Sequence, residues 1–188
     1  MPTYVFADFI YKNENIISPK AIPKIEQMGQ ELYDKTGVKV HLIAIQSLNG
    51  KKIKDYEYEI SKNFKAPFIV LTLALKDQQV DIFSSNDVKD KFDKEGILSP
   101  FTGSIIPLLV AKFKKDAKNE NDKYTVALFN GYADIIDQVA NSYDIKLASS
   151  IGNTNRDMYH FLKIIFYGSI IFFIVLFFYY KIRGKQNG

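Results

Sequence analysis

The sequence predicts an α/β fold: a mixed β-sheet flanked by helices on both faces, an αβα sandwich, followed by one C-terminal transmembrane helix. Three observations predict it. Apolar strand patterns alternate with amphipathic helix patterns from residue 4 to about residue 145. Two adjacent strand patterns, 67–75 and 80–84, are joined by only four residues, too few for a parallel crossover, so that pair is antiparallel. Finally, Ile164 to Tyr180 (IIFYGSIIFFIVLFFYY) runs for seventeen residues without a formal charge. The residues before the membrane segment are enough to bury one core, so one domain is expected.

The elements follow in order. Tyr4 to Ala7 is a short apolar strand ending at Asp8. Ser18-Pro19 starts a helix, with Ser as N-cap and Pro in the first turn. Ile22, Ile25, Met28 and Leu32 recur at helical spacing, and Gly37 is the stop. Val38 to Ile45 (VKVHLIAI) alternates and then becomes continuously apolar, the pattern of a buried strand. A loop over 46–50 leads to a second amphipathic helix carried by Ile53, Tyr56, Ile60 and Phe64. Pro67 to Leu75 (PFIVLTLAL) is the strongest strand signal, and Val80 to Ser84 is its partner. Asp87 to Glu95 reads as a short helix closed by Gly96. Another helix starts near Ser104, with Ile105, Ile106, Leu109 and Phe113 on its apolar side and Pro107 in its first turn. The charge run Lys114 to Lys123 reads as a solvated loop. A long helix then carries Tyr124, Leu128, Tyr132, Ile135, Val139 and Tyr143. The order β-α-β-α-β-β-α-α-α implies a mixed sheet with helices on both faces.

The expected organisation is a domain over 1–147, a small polar linker over 148–160, a transmembrane helix over 161–181 and a basic tail over 182–188. Seventeen helical residues span roughly 25 Å, slightly short of a ~30 Å hydrocarbon core. Phe161 and Leu162 extend the span while Lys163 snorkels toward the headgroups. Ile164, Phe172, Phe177 and Tyr180 mark the anchor; Tyr159, Tyr179 and Tyr180 sit where interfacial aromatics belong. Gly168-Ser169 is a small pair that lets a second helix approach.

The formal net charge of +4 does not indicate a nucleic-acid binder. Lys181, Arg183 and Lys185 in the tail supply three of those charges and suit a lipid headgroup flank. The rest of the chain is at +1, without the concentrated basic face that nucleic acid requires. The absence of cysteine excludes disulfides and thiolate metal sites. The opening MPTYVFADFIYKNEN has no signal-peptide pattern, so as written the domain is expected in the cytosol. Basic residues flank the apolar segment equally, Lys146, Arg156 and Lys163 before it and three after it, and give no orientation.

Candidate chemistry is sparse. There is no Gly-x-Ser-x-Gly elbow, and His41 alternates within a strand. Asn49-Gly50-Lys51-Lys52 lacks the first glycine of a phosphate loop and the Ser/Thr after its lysine. The strand ends nominate a ligand edge at Asp8, Gln46-Ser47 and Lys76-Asp77. Carboxylates there, Asp8, Asp77 and Asp81, suit a hard cation such as Ca²⁺ or Mg²⁺. Asp87, Asp90 and Asp93 alternate with Lys89, Lys91 and Lys94 and read as a solvated helix face.

Four segments resemble the TPM-domain family of thylakoid-lumen, photosystem II repair and receptor-modulator proteins. Val5-Phe6-Ala7-Asp8 through Ile17-Ser18 resembles its opening strand, Asp and Leu-Ser helix start. Ile25 to Ile45 is similar to its first helix, Thr-Gly turn and second strand. Phe68 to Ile82 resembles its central hairpin, and Ile105-Ile106-Pro107 with Tyr124 to Val139 its closing helices. The resemblance implies an α/β sandwich that is often tethered by a transmembrane helix and usually extracytoplasmic. It implies either an accessory factor for a membrane complex or a weak, metal-dependent phosphatase or Ca²⁺-binding domain. Only Asp8 and Asp77 carry over as metal ligands. Where the family often has a Gly-x-Gly turn, this chain has Ser84-Ser85-Asn86-Asp87, which hinders close approach of backbone to an ion or phosphate. The expected function is a non-enzymatic, single-pass membrane-anchored accessory or interaction domain. Its expected partners are the lipid bilayer and a membrane protein complex, and the alternative is the phosphatase-like or Ca²⁺-binding domain.

Overall fold

The computed structural model describes residues 9–111 and 119–150, with backbone only for 119–122, and residues 171, 172 and 174–176. Residues up to Gly152 form one compact unit and those from Asn153 a second. In the first unit the chain runs β1 (Ile10–Asn13), α1 (Ile22–Thr36), β2 (Lys39–Ile45), α2 (Ile53–Ser61), β3 (Phe68–Ala74), β4 (Gln79–Ser84), α3 (Lys94–Ile97), α4 (Ile106–Val110) and α5 (Asn119–Ser142). The four strands form one sheet in the order β1-β2-β3-β4. β1, β2 and β3 are parallel, and β4 is antiparallel to β3, as its short connection requires.

Strand alternation sorts the side chains onto two faces. Val40, Leu42 and Ala44 of β2 and Ile69, Leu71 and Leu73 of β3 pack with Ile25, Met28 and Leu32 of α1 and with Leu128, Ile135 and Val139 of α5. Ile43, Ile45, Phe68, Val70 and Ala74 face the other way, against Ile53, Tyr56, Ile60 and Phe64 of the α2 region. Both sheet faces are therefore covered by helix, the condition under which strands read as continuous apolar runs. Each fully buried large aliphatic side chain contributes about 1.5–3 kcal/mol. That is how α1 is held without a side-chain N-cap hydrogen bond. It ends at Gly37, whose φ of 74° suits a residue without Cβ and whose N–H donates to the Tyr33 carbonyl. Gly29 allows close packing on the same helix, because a Cβ there would collide with Phe9 and the Tyr132 hydroxyl.

Three sequence expectations change, and a further one falls on residues that are not described. The first strand described is Ile10–Asn13, whereas the expected strand at 4–7 lies outside the described residues. β1 is a half-exposed edge strand with no apolar run to reveal it. The Glu26 carboxylate of α1 holds its start by accepting from the Phe9 and Ile10 N–H groups. Ser18 is not the helix N-cap: α1 starts three residues later, with Ala21 at that position, and the Ser18 carbonyl accepts from the Ala21 N–H. Asp87 to Glu95 is largely turn. Only Lys94–Ile97 is helical, Asp93 caps it by accepting from Gly96 N–H, and Gly96 lies within it. The expected loop over 114–123 is already helix from Asn119, while residues 112–118 lie outside the described residues.

In the second unit, residues 171, 172 and 174–176 are helical, with Ile171, Phe172, Ile174 and Val175 exposed. Among the described residues no helix is long and apolar enough to cross a membrane. Ile164, Gly168, Ser169, Phe177 and Tyr180, and most of the 161–181 segment, lie outside the described residues.

Candidate functional site

Because β1, β2 and β3 are parallel, their carboxyl ends meet at one edge of the sheet, where α/β proteins commonly place ligands. A cleft of about 350 Å³ opens there. Lys12 comes from β1 and Glu14 from just after it; Gln46 to Asn49 come from the loop after β2; Tyr56 and Glu59 come from α2, and Lys76 from the turn after β3.

Four of its charges form two internal pairs. The Glu14 carboxylate accepts from the Gln46 N–H at 2.6 Å through one oxygen and pairs with Lys12 at 2.8 Å through the other. The Gln46 backbone N–H, followed by Lys12, holds the Glu14 carboxyl below the usual carboxylate range. The same hydrogen bond from the other side raises Lys12. Across the cleft Lys51 and Glu59 pair at 2.6 Å, which raises Lys51 and lowers Glu59. Burial raises the Tyr56 phenol. Asn49 and Gly50, at φ of 52° and 83°, turn the loop tightly into α2.

Asp77 has a structural task at this edge. Its Oδ2 accepts from the Leu48 N–H at 2.6 Å and ties the turn after β3 to the loop after β2. Asp8 lies outside the described residues, before the edge strand begins. Asp81 does not join Asp77; it pairs with Lys94 at 2.6 Å on the α2 face of the sheet. Among the described residues no group of three His, Asp or Glu side chains is placed to hold a metal ion.

The family model of the TPM domain matches residues 10–138. The chain belongs to the TPM-domain family. The matched region starts at β1 (Ile10–Asn13), and the expected opening strand and Asp8 lie outside both the match and the described residues. Asn13 stands at the end of that strand, where its side chain accepts from the Ile16 and Ile17 N–H groups and builds the turn into the helix. Solved structures support the same fold. The N-terminal domain of a protein from P. gingivalis matches with a TM-score of 0.59 at 12% identity, covering 74% of this chain and 87% of that one. The N-terminal domain of the cg2496 protein from Corynebacterium glutamicum matches with a TM-score of 0.51 at 13% identity, covering 82% and 88%. At such identities the likeness concerns fold alone. No curated protein sequence matches the chain.

The TPM domain's cleft thus differs from its sequence outline. Gln46 and Ser47 line it as expected, whereas Asp77 stands behind it as a loop staple. Lys12 and Glu14 are not legible as lining residues because β1, a half-exposed edge strand, carries no apolar run. Sequence reading missed Tyr56 and Glu59 as lining residues because α2 was read only for its apolar stripe. No period-2 signal marks Lys12 and Glu14, because the register of β1 shifts between Ile10, paired with Leu42, and Lys12, paired with Ile43.

Proposed function

We propose that the protein is a single-pass membrane-anchored TPM domain that works as a non-enzymatic accessory or interaction module within a membrane protein complex. One observation carries the reading: the uncharged stretch 164–180, whose described residues are helical and leave Ile171, Phe172, Ile174 and Val175 exposed. A helix with apolar side chains on its outside is suited to lipid or to another membrane helix. Anchoring raises the domain's effective concentration near a membrane partner. The paired charges of the cleft agree with a recognition surface, since Lys12, Glu14, Lys51 and Glu59 offer both signs to a partner.

The test is fractionation followed by mild crosslinking in native membranes. The full chain should stay in the membrane pellet after an alkaline wash, and Phe172→Lys combined with Val175→Lys should release it. Crosslinking should recover a stoichiometric membrane partner. Release of the unaltered chain by the wash, or recovery of the monomer alone, would overturn the reading. A single cysteine placed within 114–123, in a chain that has none, reports the side of the membrane through an impermeant label. The alternative, a Ca²⁺- or Mg²⁺-dependent phosphatase using Asp8 and Asp77, predicts phosphomonoester hydrolysis that Asp77→Asn abolishes.

A further inference from the structure

On the α2 face of the sheet, away from the cleft, lies an arrangement that the proposed function does not use. Glu57 of α2 is completely buried; neither carboxyl oxygen has a close hydrogen-bond partner among the described residues, and only the Thr72 hydroxyl and the Asp81 carboxyl interact with it, at longer range. Thr72 of β3 is also completely buried, and its hydroxyl has no close partner other than the Glu57 carboxyl it faces. Asp81 of β4 stands directly across from Thr72 in the β3–β4 register, so both side chains are on Glu57's face. Asp81 is 8% exposed; its Oδ1 accepts from the Ile82 N–H and pairs with Lys94 of α3 at 2.6 Å. Beside this pair an opening of about 510 Å³, lined by Lys54, Asp81, Lys94, Glu95 and Ser99, leads to solvent.

An ionised carboxylate buried without partners is very costly, and the group reduces that cost by keeping its proton. Burial raises the Glu57 pKa most, to about 8, and the neighbouring Asp81 charge adds to it. The Thr72 hydroxyl and the Lys94 ammonium act against the rise. The groups around Glu57 are therefore Thr72 from β3, Asp81 from β4 and Lys94 from α3, with Lys54 of α2 and Glu95 of α3 at the opening.

We propose that Glu57 is a proton-operated latch: as a neutral acid beside the Asp81 carboxylate it lets α2 lie closed on the sheet, and loss of its proton to solvent loosens α2 from β3 and β4. The direction is fixed by linkage. The closed state binds the proton more tightly than an open state with the ordinary glutamate value of 4.5. Closure is then strongest below that value and weakens as pH rises through about 8. Loosening exposes the apolar layer of Ile43, Ile45, Val70 and Phe68 beneath α2.

Amide hydrogen exchange on the full-length chain tests this, with rates corrected for intrinsic pH dependence. Opening of α2 should increase by about tenfold per pH unit between pH 5 and 8 while α1 does not follow. Infrared spectroscopy of the unaltered protein at pH 7 should show a protonated carboxylic C=O band. In Glu57→Gln that band and the pH dependence of α2 should disappear together. Asp81→Asn should move the band's titration to lower pH, and Lys94→Met should move it to higher pH. Exchange of α2 that parallels α1 across this range, or absence of the band at pH 7, would overturn the proposal. Both readings come from the unaltered chain and hold even where a variant fails to fold.

Discussion

Glu31 on α1 and Glu57 on α2 lie on opposite faces of the same sheet and illustrate two fates of a glutamate removed from water. Glu31 is mostly covered but fully engaged. Its carboxylate accepts from the Ala148 and Ser149 N–H groups at 2.7 and 2.8 Å and from the Lys35 ammonium at 2.7 Å. Burial opposes its ionisation, yet Lys35 together with the donors from Ala148 and Ser149 outweighs burial and holds the carboxyl at about 2. Glu57 has no close donor, burial outweighs the Thr72 hydroxyl and the Lys94 ammonium, and its carboxyl is pushed up to about 8. Burial alone thus does not set the charge of a carboxyl; the hydrogen bonds that reach it do.

The comparison has a structural consequence for each face. Glu31 clips residues 148 and 149, where the sequence suggests a linker begins, onto α1, with Lys35 also donating to the Lys146 carbonyl. Its contribution to stability is present above pH 4.5 and is lost as pH falls toward about 2. Glu57 acts in the opposite sense, stabilising below 4.5 and losing that effect as pH rises through about 8.

The sharpest way to break the comparison is Glu57→Met. Replacing a buried carboxyl that has no close donor with an apolar side chain of similar length should stabilise the protein by about 1–3 kcal/mol at pH 8. Each kcal/mol should raise Tm by about 2–4 °C for a chain of this size. A lower Tm at pH 8 would mean that Glu57 has close partners. Glu31→Ala should destabilise by about 1–2 kcal/mol at pH 7. Amide exchange should localise the loss first to residues 148 and 149, and retained protection there would separate the clip from Glu31. A smaller effect is the shift in local stability between pH 7 and pH 3, where exchange at 148 and 149 should quicken while α2 stays closed. Smallest is Lys51→Ala. The Lys51–Glu59 pair is about half exposed on both sides, so thermal melts should show no measurable change.

Much of this fold was legible. β2 and β3 announce themselves because both faces of each are buried, which turns Val38 to Ile45 and Pro67 to Leu75 into apolar runs. The period of Ile22, Ile25, Met28 and Leu32 marks α1, and Gly37 ends it. β1 was not legible, because an edge strand with exposed Tyr11 and Lys12 needs no apolar pattern. The buried side of α2 was half legible. Ile53, Tyr56 and Ile60 define the stripe, and Glu57 falls within it by spacing alone, an acid on an apolar face.

The sequence by itself determined the order of the elements, the antiparallel hairpin and the apolar segment at 164–180, because each depends on periodicity or length along a short piece of chain. Only the tertiary structure decided what the carboxylates do. Asp77 ties two loops, Asp81 pairs with Lys94, Glu31 clips the end of the domain and Glu57 is left without a close donor. The reason is that a carboxyl's ionisation depends on solvent and donors within a few ångströms, and here they come from residues as far as 118 positions away in the chain.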